Sequence, residues 1–429
     1  MKIPPVKGTR DFYPPDMAIR NFIVDGWKKV SLRNGFEEYD GPIFEYLKIY
    51  QIKSGDEIVE QLFSLSDRGG RELALRPEIT PTLARMVNQK INSLSKPIKW
   101  FSVPRLLRAE RPQKGRLREF FQWNIDIIGE DSVQADAEVI FTTIDYLRDV
   151  GLSPNDIVVK VSSRKMLKSV MRSIGIPNEK IEPLYTLLDK RNKLPKDTFE
   201  QMLNNMLPDS GMAKEVKEFM ECDNIRQIKN KYRSQETVEI TELMRLLYSM
   251  GVSDYYLFDP GIVRGLAYYT GIVFEIYDRA DQLRAICGGG RYDNLLADFG
   301  GPHISATGMG MGDCVLEILL REKGLLDKQI PKRNLEYFVI GAGIGDEQGE
   351  EEIYKIIAKL RSMGYSTNFS YKMGGLSKQL KEASAQNAKK CVIIGEEELR
   401  ENKITIKDMA TGKQELMSRD EFFAGLNPA

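Results

Sequence analysis

Apolar and polar positions alternate along the chain with two different periods. Apolar side chains recur at helical spacing over residues 16–32, and the pattern over 131–150 also predicts a helix. Short apolar runs predict two strands, over 99–107 and 120–128, which are joined by a charged loop. The first part of the chain is therefore predicted to mix amphipathic helices with short strands.

Changes in residue composition and in the period of the apolar positions divide the chain into segments. Lysine, methionine and leucine at helical spacing dominate residues 162–246, which predicts a helical insertion. Strand patterns with glycine turns return over 247–328, and residues 332–429 alternate strands with helices, as in a small α/β domain. The sequence therefore predicts a first domain built from 1–161 and 247–328, interrupted by the insertion and followed by the α/β domain.

Composition places the chain among globular proteins. At 429 residues it is too long for one ordinary core, and 42% hydrophobic with 29% charged residues is a usual balance. No apolar run is long enough to span a bilayer, and residues 1–10 lack the apolar stretch of a signal peptide. We therefore expect a cytoplasmic protein with no membrane partner.

The sequence contains one histidine, His303, and four cysteines. A single imidazole argues against both a Ser-His-Asp triad and a multi-histidine metal site. The cysteines lie far apart, at Cys222, Cys287, Cys314 and Cys391, so the sequence shows no zinc motif or redox pair and assigns no metal ligand. Any chemistry is expected to depend on carboxylates, guanidiniums and backbone groups.

Basic residues are concentrated locally, although the formal net charge is zero. Nucleic-acid binding follows local patches, so the net charge does not exclude it. Residues 160–233 have an excess of basic side chains, which a solvated surface explains about as well as RNA binding does. The run 105–118 gathers basic residues around one acid, Glu110, and is harder to explain as a solvated surface.

Residues 105–126 carry the strongest chemical signal. Strand alternation predicts a shared face of polar and aromatic side chains on the two strands, formed by Arg108 and Glu110 on the first and by Phe120, Gln122, Asn124 and Asp126 on the second. Such a face suits a ligand with a phosphate, an aromatic base and polar groups. The alternative, a ladder of exposed salt bridges, would add little stability.

Five segments, in order along the chain, resemble the histidyl-tRNA synthetase family of class II aminoacyl-tRNA synthetases. Residues 105–126 resemble motif 2 of that class, with Pro-Gln-Lys-Gly-Arg in the loop. The other four are Lys-Gly-Thr-Arg-Asp-Phe at 7–12, Arg-Pro-Glu-Ile-Thr at 76–80, Val-Arg-Gly-Leu-Ala-Tyr-Tyr-Thr-Gly at 263–271 followed by Val-Phe-Glu at 273–275, and Gly-Gly-Gly-Arg-Tyr-Asp at 288–293. Each segment alone is weak, but five in the family's order are specific.

The resemblance implies an α+β fold and a ligase activity. It implies a class II catalytic domain on a mainly antiparallel sheet, a helical insertion and an anticodon-binding domain at 332–429. The implied reaction joins L-histidine to tRNA(His) through a histidyl-adenylate, consuming ATP with its bound Mg²⁺ and releasing AMP and pyrophosphate. The resemblance also implies a homodimer with residues 41–45 near the interface. Because the substrate carboxylate attacks ATP, such an enzyme needs no nucleophile of its own.

Matched positions carry implied roles toward ATP. Arg108 and Arg264 are implied as the catalytic groups, which bind the α-phosphate and the histidine carboxylate through arginine's fork geometry. Glu110 is implied to contact the adenine amino group, Phe120 to stack on the adenine, and Arg116 to reach the outer phosphates.

Further matched positions are implied to form the histidine pocket. They are Glu78, Thr80, Arg108, Gln122, Asp126, Arg264, Tyr268 and Tyr269. Glu78 and Thr80 are implied to hold the α-ammonium group, and Asp126 with a tyrosine hydroxyl to address the imidazole. A neutral imidazole donates a hydrogen bond at one nitrogen and accepts one at the other. A carboxylate that accepts and a hydroxyl that donates can therefore recognise it together. For one of Tyr268 and Tyr269, core packing remains an open alternative.

The sequence departs from the family pattern at two places. Ala267 stands where the common histidine signature has aspartate. The third class II motif usually ends in Gly-x-Glu-Arg, whose arginine clamps the adenine, whereas this chain has Cys314 and Val315 at those positions. How the adenine is held is therefore left open by the sequence.

Two other functions remain open. The first is the synthetase-like regulatory subunit of ATP phosphoribosyltransferase, which binds and regulates instead of acylating. Residues 332–429 and the intact Arg108, Gln122 and Arg264 argue against it. The second is a synthetase for another amino acid, and the segment around Arg264 argues against that.

Overall fold

Strands and helices are interleaved along nearly the whole chain. The computed structural model describes residues 3–52, 61–191, 194–207, 209–232, 234, 236–263, 268–330, 335–344, 347–372 and 374–427. The chain forms two units, Met1–Lys328 and Gln329–Ala429. No helix within the described ranges is long and apolar enough to cross a membrane.

The strands of the first unit lie on both sides of the predicted insertion. They are β1 (Glu37–Glu38), β2 (Phe44–Tyr46), β3 (Ser64–Ser66), β4 (Glu72–Leu75), β5 (Ile98–Ser102), β6 (Arg105–Leu107), β7 (Glu119–Ile128), β8 (Ile157–Ser163), β9 (Tyr256–Phe258), β10 (Ile272–Asp278), β11 (Cys287–Tyr292) and β12 (Ala306–Gly312). β2, β4 and β3 form a small antiparallel sheet.

The main sheet has the strand order β1-β5-β7-β12-β11-β10-β8-β9, and β6 also pairs with β7. The pairs β1–β5 and β8–β9 are parallel, and the other pairs in this sheet are antiparallel. The predicted α+β fold on a mainly antiparallel sheet is confirmed. The register places Gly308 opposite Asp126 and Gly310 opposite Asn124. An added Cβ at Gly308 would collide with Oδ1 of Asp126, so glycine leaves room there for the carboxylate.

Helices of the first unit cover the sheet and fill the segment between β8 and β9. The described helices are α1 (Pro14–Arg33), α2 (Leu47–Gln51), α3 (Thr80–Lys90), α4 (Val133–Asp149), α5 (Arg164–Ile174), α6 (Asn178–Asp189), α7 (Lys196–Met206), α8 (Ser210–Met220), α9 (Ile225–Tyr232), α10 (Thr237–Ser249), α11 (Leu295–Asp298) and α12 (Asp313–Glu322), followed by α13 (Leu326–Gln329), which ends at the first residue of the second unit. α1 buries Ile23, Trp27 and Val30, which recur at helical spacing and pack on the sheet side. Burying one large apolar side chain of this kind stabilises the folded state by about 1.5–3 kcal/mol.

The second unit is a five-stranded sheet with helices. Its strands are β13 (Leu335–Ala342), β14 (Thr367–Phe369), β15 (Ala388–Gly395), β16 (Lys403–Asp408) and β17 (Gln414–Ser418), in the order β14-β13-β15-β16-β17. Its described helices are α14 (Glu347–Ser362), α15 (Leu376–Ala385), α16 (Glu396–Arg400) and α17 (Arg419–Ala424). The predicted C-terminal α/β domain is confirmed.

One predicted strand was wrong. The run 99–107 is two strands, β5 and β6, separated at Pro104. Proline has no N–H to donate to a ladder, so the strand ends there. β6 also ends at Leu107, so Arg108 and Glu110 lie beyond the strand and not along one of its faces.

Candidate active site

A cleft of about 1080 Å³ lies in the first unit. It is lined by every described residue to which the sequence assigned a ligand, namely Glu78, Thr80, Arg108, Glu110, Arg116, Phe120, Gln122, Asp126, Tyr268 and Tyr269. Arg264 and Ala267 lie outside the described residues. Segments far apart in sequence therefore supply one cavity.

Strand alternation on β7 supplies one wall of the cleft. Its lining side chains are Phe120, Gln122, Asn124 and Asp126. The alternate residues Trp123 and Ile125 are fully buried on the other face, where the Trp123 indole donates a 2.8 Å hydrogen bond to Ser31. The period of two that places polar groups in the cleft thus also anchors the strand in the core.

Asp126 is a buried carboxylate among the residues that are predicted to bind histidine. It is 3% exposed, and the Tyr292 hydroxyl donates to its Oδ1 over 2.5 Å. Its Oδ2 has no hydrogen-bond partner among the described side chains and backbone. Burial raises the pKa of Asp126 to about 7, and the Tyr292 hydrogen bond opposes that rise. A half-satisfied carboxylate of this kind can accept a hydrogen bond from a ligand N–H.

The tyrosine that holds this carboxylate belongs to a group of three packed tyrosine rings. The Tyr268 ring lies 4.8 Å from the Tyr269 ring and 5.9 Å from the Tyr292 ring, measured between centroids. All three tyrosines are buried or nearly so and line the cleft. Sequence reasoning assigned no role to Tyr292, although it belongs to the Gly-Gly-Gly-Arg-Tyr-Asp segment. The resemblance of that segment to the family was the sequence signal that could have identified Tyr292 as a site residue.

The neighbouring Arg291 anchors this end of β11. Its guanidinium is 5% exposed and donates to Asp136 over 2.6 and 3.0 Å, and to the carbonyls of Glu130 and Ser132 over 3.0 and 2.8 Å. Burial raises the pKa of Asp136 to about 6, and the adjacent Arg291 opposes the rise. A buried pair with this many hydrogen bonds fixes the backbone that carries Tyr292.

Arg108 is oriented by the loop that carries Glu78. Its Nε donates to the Pro77 carbonyl over 3.0 Å, and its guanidinium carbon lies 5.1 Å from the centre of the Phe120 ring. Its Nη1 lies 4.0 Å from Oε1 of Glu110. These contacts direct a partly exposed guanidinium toward the same cavity as the predicted adenine contacts.

The basic loop folds back on itself over the cleft. Arg116 forms an ion pair with Glu110, whose side chain is 7% exposed. The backbones of Gln113 and Arg116 are joined by two hydrogen bonds of 2.9 and 3.0 Å, which make a tight hairpin. In this conformation the side chains of two predicted ATP contacts pair with each other, so Arg116 does not point freely toward a phosphate site while it contacts Glu110.

Val315 packs under the tip of this loop. Gly115 adopts a φ of +74°, and a Cβ added there would lie 3.0 Å from Cγ2 of Val315. Val315 is 8% exposed and lines the cleft together with Cys314. A small apolar side chain at 315 therefore fits the space below the loop.

Charged groups on β8 and β10 extend the cleft beyond the predicted residues. Lys160 Nζ lies 3.5 Å from Asp259 and 5.1 Å from the Tyr277 ring centre, and the Tyr277 hydroxyl donates to Glu275. Lys160, Asp259 and Tyr277 lie outside the segments that resemble the family, so sequence reasoning had no signal for them. Glu275 follows the 263–271 segment as part of the same signature, although no ligand role was assigned to it. Among the residues that the structure describes, no group of three or more His, Cys, Asp or Glu side chains could hold a metal ion.

The sequence of this chain matches two known protein families. The family described as "Histidyl-tRNA synthetase" matches residues 8–312, and the family described as "Anticodon binding domain" matches residues 336–427. The chain belongs to the histidyl-tRNA synthetase family. The resemblance carried by the five sequence segments is thereby confirmed.

Relatives match along almost the whole chain. The chain is 37% identical to the chloroplastic/mitochondrial histidine–tRNA ligase of Arabidopsis thaliana, over 96% of this chain and 84% of that protein. It is also 37% identical to the histidine–tRNA ligase of Opitutus terrae, over 96% of this chain and 95% of that protein. The histidyl-tRNA synthetase structure from Nostoc has the same fold, with a TM-score of 0.82, 22% identity and 99% coverage of both chains.

Proposed function

We propose that this chain is a histidine–tRNA ligase, which activates L-histidine with ATP and transfers it to tRNA(His). The observation that carries the proposal is the meeting of Asp126, Arg108 and Glu110 in one cleft of a family member. The cleft offers a carboxylate for an imidazole, a guanidinium for phosphate and a second carboxylate for an adenine amino group.

Histidine would bind at the Asp126 end. Oδ2 of Asp126 would accept from the imidazole N–H, while Tyr292 holds Oδ1 in place. Glu78 and Thr80, which line the same cleft, would accept from the α-ammonium group. A buried carboxylate left without its partner is costly, so apolar amino acids of similar size would be rejected.

ATP would bind on the side of Phe120 and Val315. The adenine would lie on the Phe120 ring, with its amino group donating to Glu110 after Arg116 has left that carboxylate. Arg108, and Arg264 from its sequence match, would stabilise charge that develops on the α-phosphate as the histidine carboxylate attacks it. Removing one preorganised donor of this kind typically costs about 100- to 1000-fold in rate.

Magnesium would enter as part of the substrate. Mg²⁺ in nucleotide enzymes is commonly held by the phosphates with few protein ligands, which fits a cleft lined by separate carboxylates. The residues of this chain would then orient the nucleotide, exclude water from the adenylate and hold the attacking carboxylate in line.

The second unit would bind the anticodon arm of tRNA(His), in keeping with the family that matches residues 336–427. The insertion at 162–246 would approach the acceptor arm. In this proposal residues 1–161 and 247–328 form the catalytic domain, residues 162–246 the helical insertion and residues 332–429 the anticodon-binding domain. The protein would be located in the cytoplasm.

The active form would be a homodimer. The segment 41–45 leads into the small sheet, where Ile43, Phe44 and Tyr46 are 44%, 50% and 58% exposed. Apolar side chains exposed side by side are typical of a surface that another chain covers. Sedimentation should give a dimer at micromolar concentration, and a monomer throughout that range would contradict the assembly.

Regulation of ATP phosphoribosyltransferase is less well supported as a function. An anticodon-binding unit follows the catalytic region, and full-length relatives are histidine–tRNA ligases. ATP–pyrophosphate exchange with each of the twenty amino acids separates the two functions. Exchange should depend on histidine alone, whereas no exchange at saturating histidine and ATP would favour the regulatory function.

A further inference from the structure

The N-terminal segment 8–12 lies along the back of β7. The Gly8 carbonyl accepts a 2.8 Å hydrogen bond from the Arg118 N–H, just before β7 begins. The Phe12 ring packs edge-on against Phe121, with 6.1 Å between centroids. Phe121 faces away from the cleft, whereas its neighbour Phe120 lines it. The segment therefore supports the strand that carries the predicted adenine platform without entering the cleft.

Asp313 joins this segment to the variant third motif. Its side chain is 4% exposed, and its Oδ2 accepts from Nη2 of Arg10 over 2.5 Å. Its Oδ1 accepts from the backbone N–H of Phe121 over 3.0 Å. The ladder between β12 and β7 ends at the pair Gly312–Gln122, so the Asp313 carboxylate replaces the strand carbonyl that would come next.

This carboxylate links two chain segments that line the cleft. The Phe121 N–H lies between Phe120 and Gln122, and both of these line the cleft. Asp313 itself is followed directly by Cys314 and Val315, which also line the cleft. A shift of the carboxylate would therefore change the spacing between Phe120 and Val315.

Arg10 supplies the charge that a buried carboxylate requires. Removing one partner of a buried ion pair leaves an uncompensated charge and is strongly destabilising to that local geometry. The Arg10 guanidinium also lies 4.9 Å from the Phe12 ring centre, and its Nη1 lies 3.6 Å from Glu317 on α12. The pair with Asp313 is the shorter and more buried of its two ion pairs, since Glu317 is 24% exposed.

We propose that Arg10 is a positioning residue for ATP, which acts through Asp313 to set the spacing of the adenine site in a family member that lacks the third-motif arginine. The inference rests on the proposed ligase function. It assigns the Lys-Gly-Thr-Arg-Asp-Phe segment a role in nucleotide binding, although Arg10 does not line the cleft.

The test is the split between the two substrate KM values in histidine-dependent pyrophosphate exchange. Arg10→Ala should raise the KM for ATP about tenfold and leave the KM for histidine within about twofold, because a displaced anchor affects only the adenine side. Arg10→Lys keeps the charge and should restore part of the ATP affinity. Glu317→Gln is the matched control, because it removes the weaker partner of Arg10, and it should leave both KM values unchanged.

Asp313→Asn tests whether Arg10 and Asp313 act as one unit. It keeps an acceptor for the Phe121 N–H but removes the charge that faces Arg10. The double variant Arg10→Ala/Asp313→Asn should raise the KM for ATP no further than the worse single variant, since coupled partners are not additive. Multiplied effects of the two changes would contradict the coupling and overturn the proposal.

Three further results would overturn the proposal or the ligase function on which it rests. An unchanged KM for ATP in folded Arg10→Ala would show that Arg10 has no part in ATP binding. Equal rises in both KM values, in this variant and in Arg10→Lys, would show a general structural role instead. Wild-type protein without histidine-dependent exchange would refute the ligase function itself, a failure visible before any variant is compared.

Discussion

The Tyr292 hydroxyl donates a 2.5 Å hydrogen bond to Oδ1 of Asp126, although the two residues lie 166 positions apart in sequence. The strand order β7-β12-β11 brings them together, with the glycines of β12 between them. Asp126 lines the cleft, and its Oδ2 has no hydrogen-bond partner among the described residues. Recognition of histidine is therefore expected to depend on Tyr292 as well as on Asp126.

Tyr292→Phe should raise the KM for histidine by roughly tenfold, because a buried acceptor that loses its donor costs about 1–3 kcal/mol. The KM for ATP should stay within about twofold. Tyr255→Phe is the control, since it removes another buried tyrosine hydroxyl, which donates to the Leu152 carbonyl. An unchanged KM for histidine in Tyr292→Phe would show that the hydroxyl does not position the carboxylate.

Asp126 should make the protein less stable as the pH rises. Burial raises its pKa from 3.8 to about 7, so between these values the folded protein binds more protons than the unfolded chain. Stability is then lost with rising pH through this window. Asp126→Asn removes the effect, so its Tm should match wild type near pH 4 and exceed it by a few degrees at pH 8.

Asp67 provides a control of opposite sign. Hydrogen bonds from Arg71 lower the pKa of Asp67. The charged Asp67 carboxylate therefore stabilises the folded state slightly at pH values above the pKa that Asp67 has in the unfolded chain. This stabilisation is lost as the pH falls. Asp67→Asn should give a Tm at or slightly below wild type at pH 8. An Asp126→Asn Tm below that of wild type at pH 8 would contradict the assigned protonation.

Much of the cleft could be predicted because its signals are local. The period of two along β7 correctly grouped Phe120, Gln122, Asn124 and Asp126, since strand alternation needs no knowledge of the neighbours. The break at Pro104 was missed although the sequence carries a signal for it, since a proline has no N–H to donate to a ladder. The positions of Arg108 and Glu110 were missed for a separate reason, because β6 ends at Leu107.

Long-range pairs could not be predicted from one sequence. Arg10 and Asp313 lie 303 positions apart, and nothing in either segment indicates the other. Val315 looked like a missing arginine, but its contact with Gly115 becomes visible only when the basic loop is folded over it. Such pairs depend on strand order, which short motifs do not encode.

Arg108→Ala should lower the rate of histidyl-adenylate formation by at least ~100-fold, the cost of losing one preorganised donor. Arg105→Ala is the matched control. Arg105 is the first residue of β6, pairs with Glu119 over 2.7 Å and does not line the cleft. Near-normal exchange in folded Arg108→Ala would reject the assignment, and the same holds for Arg264→Ala.

Val315→Arg should not tighten ATP binding. The space at 315 is closed by Gly115, and a longer side chain there would displace the loop, with an overpacking cost of about 1–3 kcal/mol. Val315→Ile, which keeps an apolar side chain, is the control and should change the KM for ATP by less than about threefold. A tenfold lower KM for ATP in Val315→Arg would show that the missing guanidinium weakens this enzyme.

Removal of residues 332–429 should spare histidine activation and strongly reduce tRNA charging. The active-site cleft lies entirely within the first unit, and the deleted part matches an anticodon-binding family. Pyrophosphate exchange and charging should be measured on the same soluble preparation. Unchanged charging kinetics would refute the role given to the second unit.

Charging of tRNA by the full-length protein tests the central claim most directly. Purified protein, ATP, Mg²⁺ and labelled histidine should be incubated with unfractionated tRNA, and the acid-precipitable label should then be assigned to its tRNA. The predicted result is labelling of tRNA(His) alone, which is lost when Arg108→Ala replaces the wild type. Histidine-dependent pyrophosphate exchange without any labelled tRNA, or label on other tRNAs, would contradict the proposed function.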